Sequence, residues 1–306
     1  MSKRILIVGG TGFIGHALSK KCISLGWSVT SLSTKKVKKN RKLDKILYKY
    51  CDISKKRKLQ KILKNKKFDY VVNLGGYVDH SKNLKTYKSH YIGCKNLVDI
   101  FSDKNSVKKF IQMGSSLEYG SFKSPHNEMM KYQPEKLKSI YSKSKLLASN
   151  FLLKSYKEKN FPITIFRLYL TYGPGQDINR LIPIAINNCL KNHKFATSKG
   201  SQIRDFIYID DVIKILIRSL RQKNTNGQIF NLGSGKPTSV KKIINEIVKL
   251  TKMGNPIFGK IKLRLDEKKK IYPDIRKIKK TFSIKKFVDI STGLKKTIKH
   301  YQNNGI

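Results

Sequence analysis

The sequence predicts an α/β fold: a doubly wound, mostly parallel sheet with a smaller C-terminal α/β domain. Three observations carry this. Short apolar runs alternate with helical patterns up to Thr171. A glycine-rich turn, Gly9-Gly10-Thr11-Gly12-Phe13-Ile14-Gly15, joins the first apolar run to the first helical pattern. Beyond Thr171 the alternation loses regularity, and Pro174, Gly175, Pro183 and Gly200 interrupt shorter elements.

In chain order, "RILIVG" is a first strand ended by glycines. Ile14, Ala17, Leu18, Cys22 and Leu25 then form one apolar face of a helix over 13–26. Residues 27–32 give a second strand and "KILYKY" a third, with helical spacing between Lys55 and Lys66. "FDYVVNL" is a fourth strand, a helix covers 84–102, and "VKKFIQMG" is a fifth. A helix over 139–159 leads to a sixth, "PITIFRLYL". Strand–helix–strand repetition implies right-handed crossovers and parallel pairing. Later, "RDFIYIDDVIKILIRSL" reads as a strand and an apolar helix, "GQIFNLGS" as a strand, and 240–250 and 292–301 as helices. No internal repeat is present. The expected division is a dinucleotide-binding domain of residues 1–168 and 205–235, and a substrate-binding domain of 169–204 and 236–306.

Bulk composition narrows the class. The 306 residues can bury a full core, and 39% hydrophobic with 28% charged residues suits a globular protein. The net charge of +47 could attract nucleic acid or an anionic membrane. However, Lys outnumbers Arg 56 to 10, and the lysines are spread along the chain. Arg is the usual residue for base and phosphate recognition, so a nucleic-acid partner is not expected. No run of 18 apolar residues exists, and the N-terminal apolar run is too short for a signal peptide. Cys22, Cys51, Cys94 and Cys189 lack metal or redox spacing, and no metal site is expected. These features point to a reduced, cytoplasmic protein with no membrane partner.

The glycine turn has the context a dinucleotide site requires, after a strand and opening a helix. Gly9 serves the tight turn, Gly12 lets a pyrophosphate approach the backbone, and Gly15 lets helix and strand pack closely. The helix N-terminus adds unpaired N–H groups and partial positive charge. This is the Rossmann-type arrangement. After the second strand the chain reads "SLSTKK", without the acid that NAD usually meets at its ribose. Ser33 and Lys35 suit a 2′-phosphate, so NADP(H) is favoured, with NAD(H) kept open.

A Tyr-x-x-x-Lys pair is a known proton-transfer device, but composition makes it common here. With 15 tyrosines and 56 lysines, about three matches arise by chance, and four occur: Tyr91/Lys95, Tyr119/Lys123, Tyr132/Lys136 and Tyr141/Lys145. Position separates them. Pro134 breaks the third, the second lies in a loop, and the first has no hydroxyl partner at a strand end. Tyr141 and Lys145 share one face of an expected helix. They follow Ser115, which is expected at the C-terminal edge of the fifth strand, where open α/β sheets bind ligands.

With these elements in order, the chain resembles the extended short-chain dehydrogenase/reductase family, in its nucleotide-sugar epimerase, dehydratase and reductase group. The resemblance rests on "GGTGFIG", Asp52 after the third strand, "SSLEYG", "YSKSK", "FRLYLTYGPGQ", "RDFIYIDDV" and "FNLGSGKPTS". It implies hydride transfer between nicotinamide and a sugar carbon, usually C4. Tyr141 would be the acid/base, Lys145 would lower its pKa and hold the nicotinamide ribose, and Ser115 would orient the sugar oxygen. The implied cofactor set is Gly9, Gly12, Phe13, Ile14, Gly15, Ser33, Lys35, Asp52, Ile53, Leu74 and Lys145. Ser116, Arg204 and Arg264 would hold a nucleoside-diphosphate sugar, the two arginines at its diphosphate. A homodimer through helices at 84–102 and 139–159 is also implied.

Departures from the family pattern narrow the reaction. Dehydratases carry an Asp-Glu pair where this chain has Ser116 and Leu117. GDP-fucose synthases carry Cys and His where it has Leu117 and Gly175. A simple epimerase or a 4-keto reductase remains. His90 stands where many relatives have Asn, and Leu170 replaces another Asn. The remaining alternative is a non-catalytic NADP(H)-responsive regulator or RNA-binding protein on the same fold.

Overall fold

The computed structural model describes residues 2–77, 82–102, 107–263 and 267–304. It begins with β1 (Arg4–Val8), whose Ile5, Leu6 and Ile7 are fully buried, as a strand covered on both faces demands. Each such side chain contributes roughly 1.5–3 kcal/mol on leaving water. Helix α1 (Phe13–Ser24) buries Gly15, Leu18, Ser19 and Cys22 on one face. Strands β2 (Ser28–Ser33) and β3 (Ile46–Tyr50) follow, then α2 (Lys56–Leu63), which buries Leu59 and Leu63. After β4 (Tyr70–Asn73) comes α3 (Asn83–Tyr87), a π turn at Lys88–Ile92, and α4 (Gly93–Ser102). Strand β5 (Lys109–Ser115) is buried throughout. Helix α5 (Ile140–Lys159) ends at Asn160, whose φ of 51° is the left-handed stop, and β6 (Ile163–Leu168) follows.

The remaining elements are shorter. They are β7 (Leu170–Tyr172), α6 (Leu181–Leu190), β8 (Lys194–Ala196), β9 (Ile203–Tyr208), α7 (Ile209–Arg221) and β10 (Gln228–Leu232). Then come β11 (Pro237–Ser239), α8 (Val240–Thr251), β12 (Asn255–Ile257), β13 (Lys270–Ile271), α9 (Arg276–Thr281) and α10 (Ile290–Asn304).

The main sheet has seven strands in the order β10-β6-β5-β4-β1-β2-β3. The β3–β2, β2–β1, β1–β4 and β4–β5 pairs are parallel, so the doubly wound parallel sheet is as the sequence predicts. The order reverses between β1 and β4. That switch point opens a crevice outside the carboxyl ends of those strands, where such sheets bind ligands. The Lys109 ammonium is buried at the start of β5 and ties it to the segment after α7. It donates to Gln222 O at 2.7 Å, to Thr225 Oγ1 at 2.8 Å and to Asn226 Oδ1, and burial pushes its pKa down to about 8.

The chain divides into two compact units: Met1–Ser121 with Glu128–Arg167 and Ile213–Phe230, and Phe122–Asn127 with Leu168–Val212 and Asn231–Ile306. The expected first domain includes residues 205–212 and 231–235, which group with the second unit here, β9 among them. That strand pairs with β7, β11 and β13. The six-residue segment Phe122–Asn127 also belongs to the second unit, where His126 N donates to Tyr272 O at 2.9 Å. All four cysteines are buried free thiols. Among the described residues no helix is long and apolar enough to cross a membrane, and no cluster could hold a metal ion.

Candidate functional site

The glycine turn sits at the switch point. Gly9 has φ +78°, and its N–H donates to Leu32 O at 2.7 Å, pinning the turn to β2. A Cβ on Gly15 would stand 2.2 Å from Gly9 O and 2.6 Å from Gly10 Cα, so the helix can lie this close to the turn only without one. A Cβ on Gly10 would meet Ser31 Oγ at 2.3 Å. Gly12 differs. It has an ordinary φ of −77°, and its Cβ would meet only Gly9 O, at 3.3 Å. The protein's own packing therefore demands Gly9, Gly10 and Gly15, whereas Gly12 leaves room on the outer side of the turn. Gly12 is also the N-cap of α1, with no side-chain cap and no acid in the first turn. Uncapped helix N–H groups beside a bare backbone fit the pyrophosphate of a dinucleotide.

A second cluster forms where β5 ends and α5 begins. Tyr141 and Lys145 lie one turn apart on α5, with the Lys145 ammonium 5.9 Å from the Tyr141 ring centroid. Lys145 is buried and donates to Met113 O at 2.7 Å, two residues before Ser115 on the same strand. Burial pushes the Lys145 pKa down to about 8, while Glu118 and Cys94 pull it back up. Ser115 Oγ accepts from Leu117 N at 3.2 Å. It therefore caps the following turn, and its O–H remains a donor. Glu118 completes the cap: its Oε1 accepts Ser115 N at 2.7 Å, and its Oε2 accepts Ser149 Oγ at 2.8 Å and Arg167 Nε at 3.0 Å. The His90 ring stands edge-on to Tyr141, with centroids 5.1 Å apart at 88°, and bonds Tyr77 O at 3.2 Å through Nε2. His90 lies in the π turn, a feature frequent at functional sites. Gly76, just beyond β4, makes room for it, since a Cβ there would stand 1.8 Å from His90 Cε1.

Residues 5–233 match the protein-family model described as the NAD dependent epimerase/dehydratase family. The chain belongs to that family. Relatives within it do different chemistry. One is UDP-N-acetyl-alpha-D-glucosaminuronate decarboxylase of Bacillus cytotoxicus, 25% identical over 99% of this chain and 98% of that protein. Another is dTDP-D-glucose 4,6-dehydratase of Dictyostelium discoideum, 30% identical over 79% of this chain and 62% of that protein. The solved structure of UDP-glucose 4-epimerase from Thermotoga maritima with UDP-glucose superposes with a TM-score of 0.90. It has 23% identity and covers 98% of this chain and 99% of that one. Fold and family agree with the extended short-chain dehydrogenase/reductase resemblance seen in the motifs.

The other expected epimerase/dehydratase-family site residues fall as follows. Ser33 ends β2, is buried, and accepts Thr11 N through Oγ at 3.3 Å. Lys35 is exposed. Asp52 is exposed, and its Oδ1 accepts Ser54 N at 2.8 Å, as in an Asx turn. The Ile53 side chain packs in the core against Gly93, and its carbonyl accepts Asn96 Nδ2 at 2.8 Å. Phe13 and Ile14 are half-buried in the first turn of α1, and Leu74 N donates to Val8 O at 3.0 Å. Ser116 is buried in the turn after β5. Arg204 is buried on β9 and paired with Glu267. Arg264 lies outside the described residues. Sequence reasoning missed Glu118 and Arg41. Arg41 Nη1 donates to Thr11 O at 3.4 Å, and its one signal was an arginine among lysines in the loop after β2.

Proposed function

We propose that the protein is an NAD(P)-dependent enzyme acting on a nucleoside-diphosphate sugar, as a simple epimerase or a 4-keto reductase. One observation carries the reading: Tyr141 and Lys145 share one face of α5, and Lys145 is anchored to the strand that ends in Ser115. The glycine turn would hold the pyrophosphate, and the nicotinamide supplies hydride exchange with a sugar carbon. Tyr141 would take the proton from the sugar hydroxyl, or return it to the oxygen, as that carbon changes oxidation state. A free phenol ionises near 10, and a neighbouring ammonium favours the phenolate, so Lys145 would bring the proton transfer toward working pH. The Ser115 O–H would donate to the same sugar oxygen and fix its direction. Dehydration would need an acid beside Ser115, where Ser116 and Leu117 stand. The nearest carboxylate, Glu118, has both oxygens engaged by Ser115, Ser149 and Arg167. Arg204 remains the proposed partner of the substrate diphosphate, which would share or displace Glu267.

The test is purified protein with UDP-, dTDP-, CDP- and GDP-linked sugars, followed by NMR and by the near-ultraviolet absorbance of reduced nicotinamide. Conversion of at least one sugar is expected. Tyr141→Phe should lower turnover by about 10²–10⁴-fold while dinucleotide binding persists. No conversion of any sugar, or a Tyr141→Phe variant as active as wild type, would sink the reading.

A further inference from the structure

We propose that Arg41, with Ser33, makes the cofactor site selective for the 2′-phosphorylated dinucleotide, NADP(H), over NAD(H). The inference rests on the nicotinamide-dependent reading and adds which form of the cofactor is bound. Four pieces of backbone converge outside the end of β2. Ser33 Oγ at the strand terminus accepts from Thr11 N of the glycine turn at 3.3 Å. Arg41 Nη1 donates to Thr11 O at 3.4 Å from a 3-10 turn at Lys39–Arg41. The Arg41 backbone also hydrogen-bonds His16 in the first turn of α1. Burial first, then the charges of Lys20 and Arg41, lowers the His16 pKa. Arg41 is thus the cation that the loop brings back onto the glycine turn, whereas Lys35 and Lys36 are exposed.

The end of β2 is where an adenosine ribose presents its 2′ oxygen in this sheet order. An acid there would accept the 2′-hydroxyl and repel a phosphate. This chain has no Asp or Glu before Asp44, and Arg41 is its one arginine between residues 5 and 56. A planar guanidinium suits a phosphate in geometry as well as charge, which a lysine matches only in charge. Ser33 adds a small hydroxyl without a negative charge. Hence the 2′-phosphate gains a directed partner, and a plain ribose gains little from it.

The experiment titrates the whole protein with NADP+ and with NAD+ by calorimetry, at about 0.2 M salt to weaken nonspecific attraction of phosphates to the +47 chain. Wild type should bind NADP+ at least about tenfold more tightly. Arg41→Ala should weaken NADP+ by about 10- to 100-fold and NAD+ by less than about threefold, the range for one charge-assisted contact. Ser33→Asp should reverse the preference, with circular dichroism showing both variants folded. Equal affinity for the two, or tighter NAD+ binding by wild type, would overturn the proposal and leave the enzymatic reading intact. So would an NADP+ preference untouched by Arg41→Ala, since overall charge would then explain it. Failure to bind either dinucleotide would instead remove the nicotinamide-dependent reading, and this proposal with it.

Discussion

At the scale of single residues, the buried ammonium of Lys145 sets a conflict between stability and chemistry. Burial brings its pKa to about 8 from an ordinary 10.5. The folded protein therefore releases this proton at lower pH than the unfolded chain. Between those values the unfolded state holds more protons, so the contribution to stability improves as pH rises. Below about 8 the full cost of burying the charge is present. Lys145→Met removes that cost and forfeits the bond to Met113 O, worth about 1 kcal/mol. The variant should be inactive yet more stable near pH 7 by about 1–2 kcal/mol, or roughly 2–3 °C in melting temperature. The gain should narrow as pH climbs toward about 10. Melting curves of both proteins across pH check this, and Lys109, which also titrates near 8, cancels in the difference. A gap that stays constant with pH would show that the ammonium's charge is not the cause. Arg41 belongs to the same scale, and the sequence marks it only as an arginine among lysines. Exposed basic loops have no periodicity, and its contact with Thr11 spans 30 residues.

At the scale of elements, β1, the glycine turn and α1 form one device whose glycines have separable duties. Gly15→Ala would drive a Cβ into the backbone of Gly9 and Gly10, where nothing can yield cheaply, and α1 would have to lift away. A loss of about 1–3 kcal/mol in stability is expected, with dinucleotide binding impaired as a consequence. Gly12→Ala meets only Gly9 O at 3.3 Å, so stability should change by less than about 0.5 kcal/mol while dinucleotide binding is lost. Denaturant melts and cofactor titrations on the two variants separate the effects. Equal destabilisation by both would contradict the division of roles. This device was readable from sequence because strand, turn and helix are contiguous and each obeys its own period. The helix expected at 84–102 was readable only in outline. Apolar spacing signals a helix but not the π turn at Lys88–Ile92 that carries His90 to Tyr141. Strands β7, β8, β11, β12 and β13 have two or three residues, too few to show alternation. The apolar run of β9 was visible, but its partners were not. Pairing is settled by residues distant in sequence, so the run alone does not say which unit the strand joins.

At the scale of the whole molecule, charge is the dominant unspent term. With 66 basic and 19 acidic residues, most cations have no carboxylate to meet, so the folded chain concentrates like charges that the unfolded chain spreads apart. At about 0.02 M salt the repulsion acts over more than 20 Å; at about 0.3 M it is confined to roughly 6 Å. The melting temperature should therefore rise by several degrees across that range, the opposite of a protein held by surface ion pairs. The same field draws in anions, and every ligand of the proposed reaction is one. Raising salt should thus weaken the capture of a nucleotide sugar, seen as a higher KM, while kcat changes little because Tyr141 and Lys145 sit close together and Lys145 is buried. Sodium chloride isolates the screening effect, since a dinucleotide or phosphate would also stabilise by binding. A melting temperature that falls with sodium chloride would mean that the lysines are stabilised in place. The spread of basic residues would then need a reading other than tolerated excess charge.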